Sequence, residues 1–171
     1  MEYDVVIVGA GPAGLTTAIK LKQLDPNLNV CILEKGSEVG AHILSGNVFE
    51  TKALDELIPN WKNEGAPVKT KVSKEKFLFL GKNSSLSWPT WLLPSVQKNH
   101  KNYIVSLANL CRWLADQAEK LGVEIFPGFP ASEVLYNEDG SIKGVATLDM
   151  GLDKDGNKKD TCQEGMELHA K

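Results

Sequence analysis

A mixed α/β fold, with a parallel βαβ unit early in the chain and an antiparallel meander later, is predicted by three features of the sequence. Residues 3–8 (YDVVIV) form a short, nearly unbroken β-branched run, the pattern of a strand covered on both faces in a parallel sheet. A glycine turn follows at once, and behind it come a helix-period segment and a second apolar run. Farther on, residues 131–136, 142–148 and 166–170 are strand-like runs separated by polar turns, which reads as a meander.

Pro12 falls in the first turn of the first helix, where its missing N–H costs no hydrogen bond. Leu15, Ala18, Leu21 and Leu24 recur every third residue and are expected on one face. The helix is expected to stop before Asp25-Pro26, because proline disfavours helix in the residue ahead of it. Residues 30–33 (VCIL) read as a second buried strand that completes the βαβ unit. Between Gly36 and Gly46 the chain is glycine-rich and polar, so a loop is expected; residues 51–58 suggest a short helix ending at Pro59. The strongest helix signal comes later. Leu107, Leu110, Cys111, Leu114, Ala118 and Leu121 share one face, Arg112, Asp116, Glu119 and Lys120 the other, and Gly122 stands at the stop. Residues 123–126 then read as a strand, Asn137-Glu138-Asp139-Gly140 as a turn, and residues 153–159 as a second polar turn. Residues 1–171 are expected to form part of one domain: the βαβ unit and a loop at 1–46, an apolar segment within 77–100, and helix, strand and meander at 104–171.

Composition excludes several classes. With 42% hydrophobic residues the chain has material for a core and is not a disordered tail. A net charge of -3 leaves no basic surplus, so no nucleic-acid partner is expected. Cys31, Cys111 and Cys162 are widely spaced and form no CxxC pair, which predicts reduced thiols and neither a disulfide framework nor a metal site. Met1 leads within two residues into the first strand, so no signal or transit peptide is expected. No apolar run reaches the ~18 residues of a membrane-spanning helix.

Gly9, Gly11 and Gly14 make the pattern GxGxxG, with Ala10, Pro12 and Ala13 between them. Gly9 permits the tight turn, Gly11 lets backbone approach a pyrophosphate, and Gly14 lets the helix pack closely on the strand. First-turn amides and the helix dipole then favour phosphate. Glu34 stands 20 residues after Gly14 at the end of the second strand, where a carboxylate accepts hydrogen bonds from ribose hydroxyls. The pattern alone is weak, but here it has a preceding strand, a following helix, a second strand and a terminal acid. Glu34 also disfavours a 2′-phosphate, an argument that its neighbour Lys35 blunts. NAD domains and FAD domains share the fingerprint. The glycine-rich EKGSEVGAHILSG after the acid, and the later helix, strand and meander, resemble the glutathione-reductase-like form of the Rossmann-like FAD/NAD(P)-binding fold, so FAD is the expected cofactor.

GAGPAGLTTAIKLKQL, VCILEKGSEVGAHILSG, NHKNYIVSLANLCRWLADQAEKLGVEIFPGF, EVLYNEDGSIKGVATLDMG and GMELHAK resemble the electron transfer flavoprotein-ubiquinone oxidoreductase family, also called electron-transferring-flavoprotein dehydrogenases. GAH followed by LSG, and NYIV leading into RWLADQAEKLGVE, are more specific than the glycine fingerprint. The resemblance implies FAD, one [4Fe-4S] cluster and a ubiquinone site. It also implies electron transfer from reduced electron transfer flavoprotein to membrane ubiquinone, with no side chain needed as acid or base. The implied setting is a peripheral protein on the cytoplasmic face of a bacterial inner membrane or the matrix face of the mitochondrial one. Gly9, Gly11, Gly14 and Glu34 would hold the ADP half, with Ala10, Pro12, Ala13 and Lys35 beside them, and Ser45 and Gly46 would lie near the riboflavin end. His42 reads equally as a residue near the flavin and as a hydrogen-bonded loop histidine.

Two departures from the family pattern stand out. Ser106 occupies a position where the family often has arginine, and the chain is expected to stop before the later FAD motif, most of the quinone domain and the cluster cysteines. Other readings remain: an FAD enzyme of the same fold, geranylgeranyl-reductase-like or hydroxylase-like, acting on a small molecule, or a non-catalytic dinucleotide-binding module.

The segment that opens at Ser85 and closes at Val96, SLSWPTWLLPSV, sets Trp88 and Trp91 among leucines, with Lys98 and Lys101 after it. Tryptophan beside apolar residues and lysine suits a membrane interface. In the resembling family this region contributes to membrane contact, while composition alone also allows a lid packed on the core. Asp153, Asp155, Asn157 and Glu164 imitate positions 1, 3, 5 and 12 of a calcium loop, but Lys158 replaces the required glycine, and a polar hairpin turn is the better reading.

Overall fold

The computed structural model describes residues 1–152 and 158–171; Asp153, Asp155 and Asn157 of the calcium-loop lookalike lie outside the described residues. In chain order the elements are β1 (Glu2–Tyr3), β2 (Val5–Val8), α1 (Pro12–Leu24), β3 (Val30–Glu34), β4 (Ser45–Phe49), α2 (Lys52–Leu57), β5 (Thr70–Lys71), β6 (Phe77–Leu80) and β7 (Ser85–Trp88). They continue with β8 (Tyr103–Ser106), α3 (Leu107–Lys120), β9 (Glu124–Pro127), β10 (Ala131–Tyr136), β11 (Ile142–Thr147), β12 (Met150–Leu152), β13 (Lys158–Gln163) and β14 (Glu167–Ala170). Two compact units contain them, one of Met1–Ile43 with Cys111–Lys171 and one of Leu44–Leu110.

In the first unit β3 is the middle of a parallel sheet ordered β2-β3-β9, in register from Val5 opposite Val30 and from Cys31 opposite Glu124. Val30, Cys31, Ile32 and Leu33 are all buried, which is why that segment reads as an unbroken apolar run. Residues 3–8 are not the single strand expected. Asp4 interrupts them: its carboxylate accepts the Asn29 N–H at 2.8 Å, while the Asp4 and Val5 N–H groups both donate to the Asn29 carbonyl. β1 therefore pairs with β14, and β2 with β3, in a different sheet.

The buried side of α1 is Leu15, Ala18, Ile19 and Lys22, whereas Leu24 is 72% exposed, so the expected every-third-residue face is corrected. At about 100° per residue, the nine positions from Leu15 to Leu24 carry the side chain to the opposite face. The Lys22 ammonium donates to the carbonyls of Pro26 at 2.6 Å and Leu28 at 2.9 Å, fastening the turn after the helix. The helix ends where Asp25-Pro26 predicts. Sheet order β1-β14-β11-β10 confirms the antiparallel meander, and its side chains share a core of Tyr3, Cys31, Leu33 and Leu168 with Phe126, Phe129 and Val145.

α3 joins one unit to the other and buries Leu110, Cys111, Trp113, Leu114 and Ala118, while Arg112, Asp116, Glu119 and Lys120 are exposed as the periodicity predicts; Leu121, expected on the buried face, lies just past the helix end and is exposed. Gly122 closes the helix at φ +84.

The second unit has a small sheet, β4-β8-β5, and the hairpin β6-β7. Its core is Trp61, whose indole N–H donates to Asp55 at 2.7 Å and whose ring meets Tyr103 edge-on at 6.1 Å. β4 falls partly in the stretch expected to be loop. Gly46, at φ +83, sits at a bulge between Ser45 and Asn47, and only pairing with β8 makes the segment a strand.

Candidate dinucleotide site

The turn between β2 and α1 is made by backbone. Gly9 adopts φ +102, a region that side-chain-bearing residues avoid, and its N–H donates to the Leu33 carbonyl at 2.7 Å. Gly11 precedes the helix in extended conformation with no side-chain cap, and Pro12 takes the first helical position. A Cβ on Gly14 would overlap the Gly9 carbonyl oxygen, so only glycine lets helix and turn approach this closely. A Cβ on Gly9 or Gly11 would meet nothing within 4 Å, which leaves the outer side of the turn open. Uncapped first-turn amides facing open space are what a diphosphate requires, and the chain's own residues fit that group.

Glu34 ends β3 and is half-buried. One carboxylate oxygen accepts the Ala10 N–H at 2.9 Å, and the other accepts the Gly36 N–H at 2.7 Å. A carboxylate has about four acceptor positions, so two remain for ribose hydroxyls. The residue thus has a second task that its spacing did not reveal: it braces the glycine turn against the following loop. Its backbone carbonyl accepts the Phe129 N–H at 3.0 Å, and the Gly36 carbonyl accepts the Gly128 N–H at 2.7 Å, tying the loop to the end of β9.

The geometry gathers Gly9, Ala10, Gly11, Pro12, Ala13, Gly14 and Glu34 into one arrangement. Lys35 and His42 are exposed residues of the loop that follows. Ser45 and Gly46 belong to the other unit, where Ser45 opens β4 opposite Ser106. The Ser106 hydroxyl accepts the Asn109 N–H at 3.4 Å, a helix-start role. Sequence reading also missed the pair of Arg112 and Glu38 at 2.9 Å, since 74 positions separate them. Burial, reinforced by the Glu34 charge, pushes the Cys111 thiol up to about 11; burial and then Glu124 push Cys31 up to about 12. Both thiols are therefore protonated and unreactive at neutral pH. Among the described residues no group of three or more His, Cys, Asp or Glu is placed to hold a metal ion.

The chain is 57% identical over 175 residues to the mitochondrial electron transfer flavoprotein-ubiquinone oxidoreductase of Oryza sativa, covering 100% of this chain and 30% of that protein. It is 54% identical to the Pseudomonas aeruginosa protein of the same name, covering 100% of this chain and 32% of that one. The chain belongs to the electron transfer flavoprotein-ubiquinone oxidoreductase family. It spans about 30% of the length of these family members. The Thi4 family profile matches residues 1–57, from β1 through α2. Among solved structures, a geranylgeranyl bacteriochlorophyll reductase-like protein from Thermoplasma acidophilum superposes with a TM-score of 0.65 at 21% identity, covering 99% of this chain and 37% of that one. THI4 of Thermovibrio ammonificans gives 0.57 at 18% identity, covering 99% and 55%. The fold is the Rossmann-like FAD/NAD(P)-binding fold with a β-meander that the glycine turn and later strands predict.

Proposed function

We propose that the chain holds the ADP half of FAD in a flavoprotein that passes electrons from reduced electron transfer flavoprotein to ubiquinone. The observation that carries the reading is the open glycine turn braced by Glu34, in a chain whose relatives at 51–57% identity bear that activity in their names. The turn from Gly9 to Gly14 would take the diphosphate and Glu34 the ribose. Lys35 and His42 would lie along the path toward the flavin. Bound FAD supplies the electron-carrying chemistry, and the chain positions it and keeps its phosphates neutralised by backbone dipoles. A [4Fe-4S] cluster would rest on ligands elsewhere in the longer protein. The test is the cofactor content and visible spectrum of the full-length protein, followed by spectroscopy of its reduced state. Flavin with a reducible iron-sulfur signal is expected; flavin without iron would favour a flavoenzyme acting on a small molecule.

A membrane surface is the further partner we propose. β6 and β7 pair so that Phe77, Phe79, Leu86 and Trp88 share one face, and the rings of Phe77, Phe79 and Trp88 stack edge to face. Phe79 is 53% exposed and Leu86 65%, and Trp91, Leu92 and Val96 beyond the hairpin are exposed as well. A contiguous exposed apolar face of this kind marks a contact surface. No described helix is long and apolar enough to cross a membrane, so the contact would be interfacial, at the matrix face in mitochondria or the cytoplasmic face in bacteria. Each large apolar side chain contributes ~1.5–3 kcal/mol when fully buried, so Trp88→Ser with Trp91→Ser in the full-length protein should weaken vesicle binding at least tenfold. Unchanged binding would mean that the rest of the longer protein covers this face.

A further inference from the structure

Charge is divided unevenly along the chain. Between Leu44 and Leu110 there are nine lysines and five carboxylates, although the whole chain is net negative at -3. Several of these lysines bracket the exposed hairpin: Lys74 and Lys76 stand before β6, Lys82 in its turn, and Lys98 and Lys101 after it.

At the root of the hairpin is a pocket of about 360 Å³ lined by Ser73, Lys74, Lys76, Thr90 and His100, with Glu75 on its wall. Lys76 is bonded directly to Phe77, the first residue of β6, and Thr90 follows the end of β7 by two positions. The pocket therefore belongs to the base of the hairpin. Glu75, one of whose carboxylate oxygens accepts both the backbone N–H of Asn99 at 3.0 Å and its amide N–H at 3.2 Å, offsets one of the two lysines and leaves the lining net positive. The lining offers two ammonium groups, two hydroxyls and an imidazole, a donor set suited to a phosphodiester. Strands of four residues extend about 13 Å, so an apolar hairpin resting in the interface keeps its root near the depth of the headgroups.

We propose that this pocket binds the phosphate headgroup of an anionic phospholipid, fixing the depth and orientation of the hairpin on the membrane. The inference rests on the membrane reading above and adds lipid selectivity to it. Phosphatidylcholine carries the same phosphodiester, but its quaternary ammonium would meet Lys74 and Lys76, so the pocket favours an anionic headgroup.

The test compares binding of the full-length flavoprotein to vesicles of phosphatidylcholine and to vesicles containing phosphatidylglycerol. Wild type should prefer the anionic vesicles, and Lys74→Ala with Lys76→Ala should reduce that affinity roughly ten- to thirty-fold while reducing phosphatidylcholine binding much less. Lys62→Ala with Lys69→Ala removes the same charge from the same unit outside the pocket and should cost much less. Equal losses from the two pairs would overturn the pocket in favour of diffuse attraction. Tight binding of inorganic phosphate at this pocket, without a preference for anionic vesicles, would make free phosphate the occupant and overturn the lipid. Equal wild-type affinity for the two vesicles would defeat the headgroup inference and leave the membrane reading standing; no binding to either would defeat both.

Discussion

In the unit of Met1–Ile43 and Cys111–Lys171, the apolar strand β3 lies buried from Val30 to Leu33, whereas in Leu44–Leu110 the comparably apolar β6 is exposed along its whole length. The first strand has a neighbour on either edge and shares a core with the meander; the second has one partner, β7, and an aromatic face left to solvent. A strand in the first setting serves as a platform that aims a glycine turn and a carboxylate. In the second setting the apolar face stays at the surface, where the proposed membrane contact would use it. The same composition thus builds a buried platform beneath a glycine turn in one unit and an exposed apolar face in the other, and burial is the difference.

The largest expected effect tests how separately the units stand. Trp61 is 2% exposed and anchors the smaller unit, so Trp61→Ala should cost ~3–5 kcal/mol there. Hydrogen exchange should show protection falling in β8 while β3 amides keep theirs; a uniform loss would mean that the two units unfold together. Gly14→Val attacks the other side of the comparison. Collision with the Gly9 carbonyl should cost ~1–3 kcal/mol and lower flavin retention, read from the melting temperature and the flavin content.

Smaller effects refine the picture. Glu34→Gln leaves the shape but replaces one acceptor oxygen by an amide donor, so either Ala10 or Gly36 loses its partner, at a cost of ~1–3 kcal/mol. Thermal melting with and without added FAD measures it. Hydrogen bonds from Trp61 and then Thr51 hold the Asp55 carboxyl below the usual carboxylate range. Its stabilisation is complete above the unfolded value of about 3.9 and is lost as pH falls through the lower folded value. Asp55→Asn should accordingly lower the melting temperature at neutral pH, with the difference from wild type shrinking in acid. The carboxylate is exposed, so the shift should be small.

What could be read from the sequence was local. β3, α3, the Asp25-Pro26 stop and the strand-glycine-helix order are each written within a few residues of one another, and the spacing from Gly14 to Glu34 carries the site. Features that depend on distant partners were not readable. The break at Asp4 needs Asn29 and β14, and the strand at Ser45 needs Tyr103–Ser106 opposite it. Glu34 bracing Ala10 crosses 24 positions and follows from the parallel register of β2 and β3, which no local pattern states. The misplacement of Leu24 has a different origin, since a period of three drifts off a face that turns every 3.6 residues. SLSW alternates polar and apolar residues and carries a strand signal, whereas FLFL is a continuous apolar run that by itself suits a buried strand, and only its exposed pairing with SLSW makes it a surface hairpin.

The central claim is that an open glycine turn braced by Glu34 holds FAD, and the most direct measurement is the identity and amount of cofactor released from the full-length protein and from its Gly14→Val variant. The account predicts FAD at about one per chain in the wild type, with a large loss in the variant. Release of NAD or FMN, or full retention of FAD by the variant, would contradict it.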